Sequence, residues 1–323
     1  MKKTRLAHPA LSAFLVRYAK ARRISGEAIL VGWPDKDNGP KLSTIYRWFQ
    51  QPTRMARCDA ETLLDVLRCR EEWVAYCASG EYLRETSNVF NYECQLGSIR
   101  EWNIEDWKKA AGSTSVLAEK LVKIDYELFQ QENQSDWVGS SADWEEMLVA
   151  HPETWRVFVH HNGLEWDVIG YWMFVSPTDE WFARACLGEY PEHKITLSTS
   201  KRLEDGVINI YGPGMYCRRG LKDHDKQTLA SRIILSFLYN MDRLRILGII
   251  FDRICIPVMS RDGQNLAEGR FGLSRMPEAI SDRYALQMMW PRTGGEQDRL
   301  PALYFGNIDA DLLARGGLTT SYI

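Results

Sequence analysis

Four groups of residues in this 323-residue chain have types and spacings that chemistry could use. The first is Asp225-Lys226-Gln227-Thr228-Leu229-Ala230, which opens a run of helical periodicity from Ser231 to Leu244. A helix start offers free backbone N–H groups and the positive end of the helix dipole, and together these attract a phosphate. Asp225 or Thr228 can equally act as a plain N-cap. The second group is Thr44, Arg47 and Gln51, which project from one side of a helical stretch, with Lys41, Arg54 and Arg57 around it. Short polar side chains and arginine suit base edges, and flanking cations suit phosphates. The third is Glu189, an acid in a turn beside a strand, placed either as a proton acceptor or as an ordinary surface acid. The fourth, His160-His161, cannot converge on one ligand, because neighbouring strand residues face opposite sides.

Other chemistries are excluded by pattern. The seven cysteines, Cys58, Cys69, Cys77, Cys94, Cys186, Cys217 and Cys255, include no CxxC pair, which removes the zinc and thiol-redox motifs. No P-loop, HExxH or GxSxG string occurs. No metal is therefore expected. No apolar run reaches the ~18 residues of a membrane span. The Met-Lys-Lys-Thr-Arg start lacks the apolar stretch of a signal peptide, so a cytoplasmic protein with reduced thiols is expected.

Charge is segregated. Residues 1–57 carry twelve Lys/Arg against three acids, a net +9, whereas the whole chain sums to −3. A basic module of this kind suits an anionic partner such as double-stranded DNA, an acidic protein or a membrane surface.

The elements that must position these residues fall into two parts. In residues 9–23, Leu11, Phe14, Leu15 and Tyr18 recur at helical spacing. Ser25 caps a short second helix through Val31, and Trp33 to Pro40 reads as a loop. Ser43 is the expected N-cap of a third helix, Thr44 to Gln51, with Ile45, Trp48 and Phe49 inward. Asp59 is the expected cap of a fourth, bearing Leu63, Leu64 and Leu67. Apolar periodicity is lost over 79–96, and 86–96 is read as a linker between a helical domain, 1–85, and a larger one, 97–323. The larger part offers helices at 115–133 and Trp144–Ala150, then a strand Trp155–His161 closed by Asn162-Gly163. A buried strand Val168–Val175 follows, then Val207–Tyr211 or its continuation to Cys217, the helix Thr228–Leu244, and a strand Arg253–Met259. The fold class expected is a small all-helical domain followed by a mixed sheet flanked by helices, α+β or α/β.

Two resemblances bear on function. Leu42 to Phe49, followed by Thr62 to Leu67, resembles the recognition helix and next helix of lambda-repressor-like helix-turn-helix domains, with about ten residues where that family has a turn of three or four. It implies that Thr44, Arg47 and Gln51 read bases and that Lys41, Arg54 and Arg57 touch phosphates. Ser98 to Trp107, His151-Pro152-Glu153-Thr154-Trp155, Ile169-Gly170-Tyr171-Trp172, Asp262-Gly263-Gln264 and Phe271-Gly272-Leu273 together resemble the GNAT superfamily of acetyl-CoA-dependent N-acyltransferases, over about 97–290. That resemblance implies a phosphate loop patterned Arg/Gln-x-x-Gly-x-Gly/Ala. Here it falls on Asp225 to Ala230, with Ala230 matching and Asp225 and Thr228 standing for the first basic or amide residue and the first glycine. It further implies that Lys226, Gln227, Thr228, Leu229 and Ala230 hold acetyl-CoA, and that backbone near Met215 and Cys217 positions the amine. Glu268 stands where the family has a tyrosine. The rival reading is a DNA-binding regulator whose GNAT-like part senses or dimerises, for which a homodimer is compatible; a third is a protein-interaction domain without DNA.

Overall fold

The computed structural model describes residues 9–289 apart from 53–54, 95, 131–138, 187–195, 204–205, 219, 259–266, 268–272 and 276–285. Apolar spacing at three and four residues in the first ninety positions produces six helices: α1 Pro9–Ala21, α2 Gly26–Gly32, α3 Leu42–Gln50, α4 Arg57–Val66, α5 Arg70–Ala78 and α6 Gly80–Phe90. Leu11, Phe14 and Leu15 of α1 are buried, and Phe14 meets Trp73 and Tyr76 with ring centroids 5.3 and 5.5 Å apart. Ser25 caps α2 by accepting from the Ala28 N–H, as its type predicts.

Two expected caps are displaced. The N-cap of α3 is Lys41, not Ser43; its carbonyl accepts from the N–H groups of Thr44 and Ile45. Starting earlier seats Leu42 against Gly26, where an added Cβ would lie 2.9 Å from Leu42 Cδ1. Packing of two helices therefore overrides the better cap. Asp59 lies inside the first turn of α4, whose N-cap is Ala56.

The chain divides into two compact units between Val89 and Phe90. The expected linker, 86–96, is instead the end of α6 followed by a strand, β1 Tyr92–Cys94. The second unit continues with β2 Gly97–Trp102, α7 Ile104–Ala111, α8 Thr114–Gln130, α9 Ser141–Ala150, β3 Trp155–His161, β4 Trp166–Val175 and α10 Asp179–Cys186. Then come β5 Val207–Cys217, α11 Asp223–Ile246, β6 Ile250–Val258, β7 Ser274–Arg275 and β8 Leu286–Met289. The fold is mixed α+β. The described strands form one sheet, ordered β1-β2-β3-β4-β5-β6-β8-β7, in which only β5 and β6 run parallel.

Asn103 and Asp106 make a capping box that fixes the start of α7 directly after β2. One sheet face buries Trp102, Trp155, Val157, Val159 and Met173 against Trp107, Leu117, Leu121 and Leu148 of α7 to α9. The other face takes α11, with Trp172 edge-on to Phe237 at 5.7 Å. Trp102, Trp107, Trp155, Trp172 and Trp181 are thus core.

At Gly170, α11 packs directly on β4. A Cβ there would lie 2.7 Å from Ile233 Cδ1 and 3.1 Å from the Tyr216 carbonyl oxygen. Overpacking of this kind costs about 1–3 kcal/mol. Gly170→Ala is expected to lower the urea midpoint of the second unit accordingly, and an unchanged midpoint would show that α11 can shift freely.

Candidate functional site

The site is built by a parting of strands. β5 and β6 pair from Val207–Ile250 to Tyr211–Cys255. Beyond that point β5 pairs with β4 from Gly214 to Cys217, and β6 pairs with β8 from Cys255 to Val258. Gly212, at φ 56, and the register shift beside it turn β5 away. Among the described residues, no ladder joins β5 to β6 past this fork. Among the described residues, no strand pairs with β5 on that edge beyond Tyr211.

The helix that connects the two strands, α11, starts just after the end of β5. Its N-cap, Lys222, makes no side-chain cap bond, and the first helical bond runs from the Lys226 N–H to the Lys222 carbonyl, at 2.9 Å. Asp223, His224 and Asp225 therefore precede the internally bonded amides. Here the expected phosphate loop is corrected: Asp225 to Ala230 lie in the first two turns of α11, not in a loop before it. Thr228 and Leu229 are buried, Ala230 is half-buried, and their amides serve the helix. Lys226 and Gln227 are exposed. Met215 and Cys217 stand on the diverging part of β5, and the Cys217 thiol donates to the Lys226 carbonyl at 3.7 Å. Burial pushes that thiol up to about 11, so it is no nucleophile near neutrality. The fold thus brings Cys217 and Lys226 together at the start of α11 and turns Thr228 inward.

Arg218 follows β5 and was not singled out by its sequence context. Its N–H donates to the Ile169 carbonyl at 2.8 Å, and its guanidinium pairs with Asp167 at 2.7 Å. His160 Nε2 lies 3.9 Å from the same carboxylate. Burial holds the His160 ring below its usual pKa, with Asp167 opposing. His161 is exposed, and its Nδ1 accepts from the Gly163 N–H. The two histidines face apart, as strand geometry requires.

Asp125 was also missed, although it continues the 117, 121 stripe of α8 at the next four-residue step. Its buried carboxylate accepts a short hydrogen bond from the Tyr171 hydroxyl, and the Tyr171 ring stacks on Tyr216 of β5 at 5.6 Å. Burial pushes Asp125 up to about 7. Glu189, Arg54 and the stretches 262–266 and 271–272 lie outside the described residues.

In the first unit, Ile45 and Trp48 of α3 are buried, leaving Lys41, Arg47 and Gln51 exposed and Thr44 half-exposed. Arg57 is the first residue of α4. Tyr46 is held by a hydrogen bond to Glu27 at 2.9 Å. Arg17 and Arg22 pair with Glu85 and Glu72 at 3.0 and 3.7 Å, while Lys41 and Arg47 make no ion pair among the described residues.

No protein-family model matches the chain, and no curated protein matches it. Among the described residues no His/Cys/Asp/Glu group could hold a metal ion, and no helix is long and apolar enough to cross a membrane.

Asp125 gives a pH test. Its folded pKa near 7 exceeds the ordinary 3.8, so the folded state binds the extra proton between these values. Its contribution is complete below about pH 4 and declines as pH rises through 7. Asp125→Asn removes this decline. Between pH 5 and 8 the variant is expected to lose about 2–3 kcal/mol less stability than the parent, at about 1.36 kcal/mol per pKa unit. Equal losses in denaturant titrations at both pH values would show that the carboxyl is not buried as described.

Proposed function

We propose that the second unit is a GNAT-type, acetyl-CoA-dependent N-acyltransferase or a descendant of one, joined to a basic helical module that binds duplex DNA. The observation that carries this reading is the fork between parallel strands β5 and β6, with the start of α11 next to the diverging end of β5. Acetyl-CoA has an extended arm with amides and a diphosphate. A freed strand edge can bond the first, and unbonded helix amides the second. A single helix-linked parallel pair inside an otherwise antiparallel sheet supports the GNAT-like arrangement further. In this reading an amine attacks the thioester carbonyl beside the Met215–Cys217 backbone, and the CoA thiolate leaves. Lys222, Lys226 and Arg218 supply positive charge near the diphosphate. On the α7–α9 face, the described carboxyl that titrates near neutrality is Asp125, joined through the Tyr171 hydroxyl to the Tyr216 side of β5.

One observation favours the second reading, a regulator whose acyltransferase-like part is not catalytic. The first turn of α11 carries Asp223 and Asp225, whose charge opposes a diphosphate. Calorimetry of acetyl-CoA with the full chain separates the two. Saturable heat that is reduced at least tenfold in affinity by Lys222→Glu with Lys226→Glu is expected for the enzyme. No heat at millimolar acetyl-CoA leaves the regulator.

The DNA half rests on the exposed Lys41, Arg47 and Gln51 of α3 and the basic charge around them. Residues 1–89 retain fifteen Lys/Arg against ten Asp/Glu, a net +5. Binding of the full chain to duplex DNA should weaken with salt by about 0.9 log unit per log unit for each phosphate contacted. The double variant Lys41→Ala with Arg47→Ala is expected to bind more weakly with a shallower slope, read by fluorescence anisotropy. Absence of binding at ~50 mM salt, where counterion release favours it most, would discard this half.

A further inference from the structure

The scattered cysteines of the sequence are not all isolated in the fold. Cys186 closes α10 and Cys255 lies on β6, and the two pack in one buried cluster with their thiols hydrogen-bonded to each other. The contact is one rung of two. Arg253, on the same strand two residues earlier, lays its guanidinium over the Phe182 ring at 4.9 Å, one helical turn before Cys186. Two side-chain contacts therefore tie α10 to β6, Phe182–Arg253 and Cys186–Cys255. Val175, Trp181, Ala185 and Tyr211 close the surroundings, with Trp181 edge-on to Tyr211 at 5.0 Å. Packing on this scale keeps the two sulfurs together.

We propose that Cys186 and Cys255 form a peroxide-reactive dithiol that closes to an intramolecular disulfide. The order of events follows from the surroundings. Cys255 is fully buried, whereas Cys186 keeps 5% of its surface open. The Cys255 S–H donates to Cys186 and holds the Cys186 thiol below its ordinary value, with Arg253 acting in the same direction; Cys255 itself is raised. The Cys186 thiolate attacks one oxygen of hydrogen peroxide, the O–O bond breaks, and the departing hydroxide takes a proton to become water. Cys186 is then a sulfenic acid. The Cys255 sulfur attacks it, the S–O bond breaks, and the oxygen leaves as a second water with the Cys255 proton. Two thiols and one peroxide become one disulfide and two waters.

Other thiols are placed differently. The Cys69 and Cys217 thiols donate to backbone carbonyls, both pushed up to about 11 by burial, and Cys94 accepts from the Leu96 N–H. Cys58 is exposed and is the natural source of cross-links between molecules. The bond has a consequence for the fork. Cys255 is the last residue of the parallel ladder, opposite Tyr211, so the disulfide would tie α10 to the point where β5 and β6 separate.

The test uses the full chain with Cys58→Ser, treated with hydrogen peroxide. Of the six thiols that remain from seven, two are expected to disappear when counted in denaturant, and to return with dithiothreitol. A non-reducing peptide map should join the segments bearing Cys186 and Cys255. Adding Cys255→Ser should halt the reaction at a sulfenic acid on Cys186, trapped by dimedone. Cys255→Ala serves the same purpose if the serine chain does not fold. Adding Cys186→Ser should leave every remaining thiol intact. Persistence of all six thiols, a bridge between any other pair, or dimedone on another cysteine overturns the proposal.

Discussion

The constraint on which the second unit depends is a buried guanidinium. Arg156, on β3, keeps only 3% of its surface and lies under α11, where an uncompensated charge would be prohibitive. Its compensation is distributed. Glu153 and Glu101 lie 3.6 and 4.0 Å away, the carbonyls of Pro152 and Trp155 accept at 3.0 and 2.5 Å, and the Trp172 ring faces the cation at 5.6 Å. Three of these partners, Glu101, Glu153 and Trp172, are in turn fixed by α11. Ser236 donates to Glu101 and accepts from the Trp172 indole, both at 2.6 Å; Asn240 donates to the Glu153 carbonyl at 2.7 Å; Arg243 donates to the Glu153 carboxylate at 2.5 Å. Positions 236, 240 and 243 fall on one helical face. The helix cannot slide by a turn without leaving several buried charges unpaired, so its far end is fixed as well.

That far end matters because it lies beside the diverging end of β5. A sheet edge opened by a bulge is a common device, but an opening between two interior strands requires that each already have another neighbour. β4 holds β5 and β8 holds β6, which lets both strands remain bonded on one side while parting from one another. Burial also leaves Glu101 with a raised affinity for protons, up to about 7, although Arg156 and the Ser236 hydroxyl oppose it. The arrangement is specific rather than cheap: an apolar core of the same volume would avoid the desolvation but would not determine the register of α11.

Much of the fold was legible because local signals agreed with tertiary packing. Asn162-Gly163 marks the end of β3, and Ser25 marks the start of α2. The misreadings share a cause. Asp225 and Thr228 look like caps, yet α11 begins at Asp223, because β5 ends at Cys217 and Gly220, at φ 82, lies in the short connection between them. The edge strand β1 is polar and half-exposed, so it reads as linker. Two buried acids were hidden for a further reason. Asp125 and Glu101 occupy apolar phases of a helix and a strand, which single-sequence reading treats as exceptions. The Cys186–Cys255 contact joins elements on either side of β5 and α11, which no spacing rule reaches.

Charge in the first unit shows folding sorting what composition only counts. The basic excess of residues 1–57 is not presented evenly. Acids of α5 and α6 reach back to α1, where Glu72 and Glu85 take up Arg22 and Arg17. Exposed pairs of this sort add little stability, but they do cancel charge locally. Among the described residues Lys41 and Arg47 have no ion-pair partner, and the face of α3 opposite Arg47 is occupied by Ile45 and Trp48. The same periodicity that buries those two side chains sets the cations outward. A helix held by its apolar face and presenting cations and amides on the other has its recognition surface decided by its packing, and substitutions at Ile45 or Trp48 would misplace Arg47 without touching its charge.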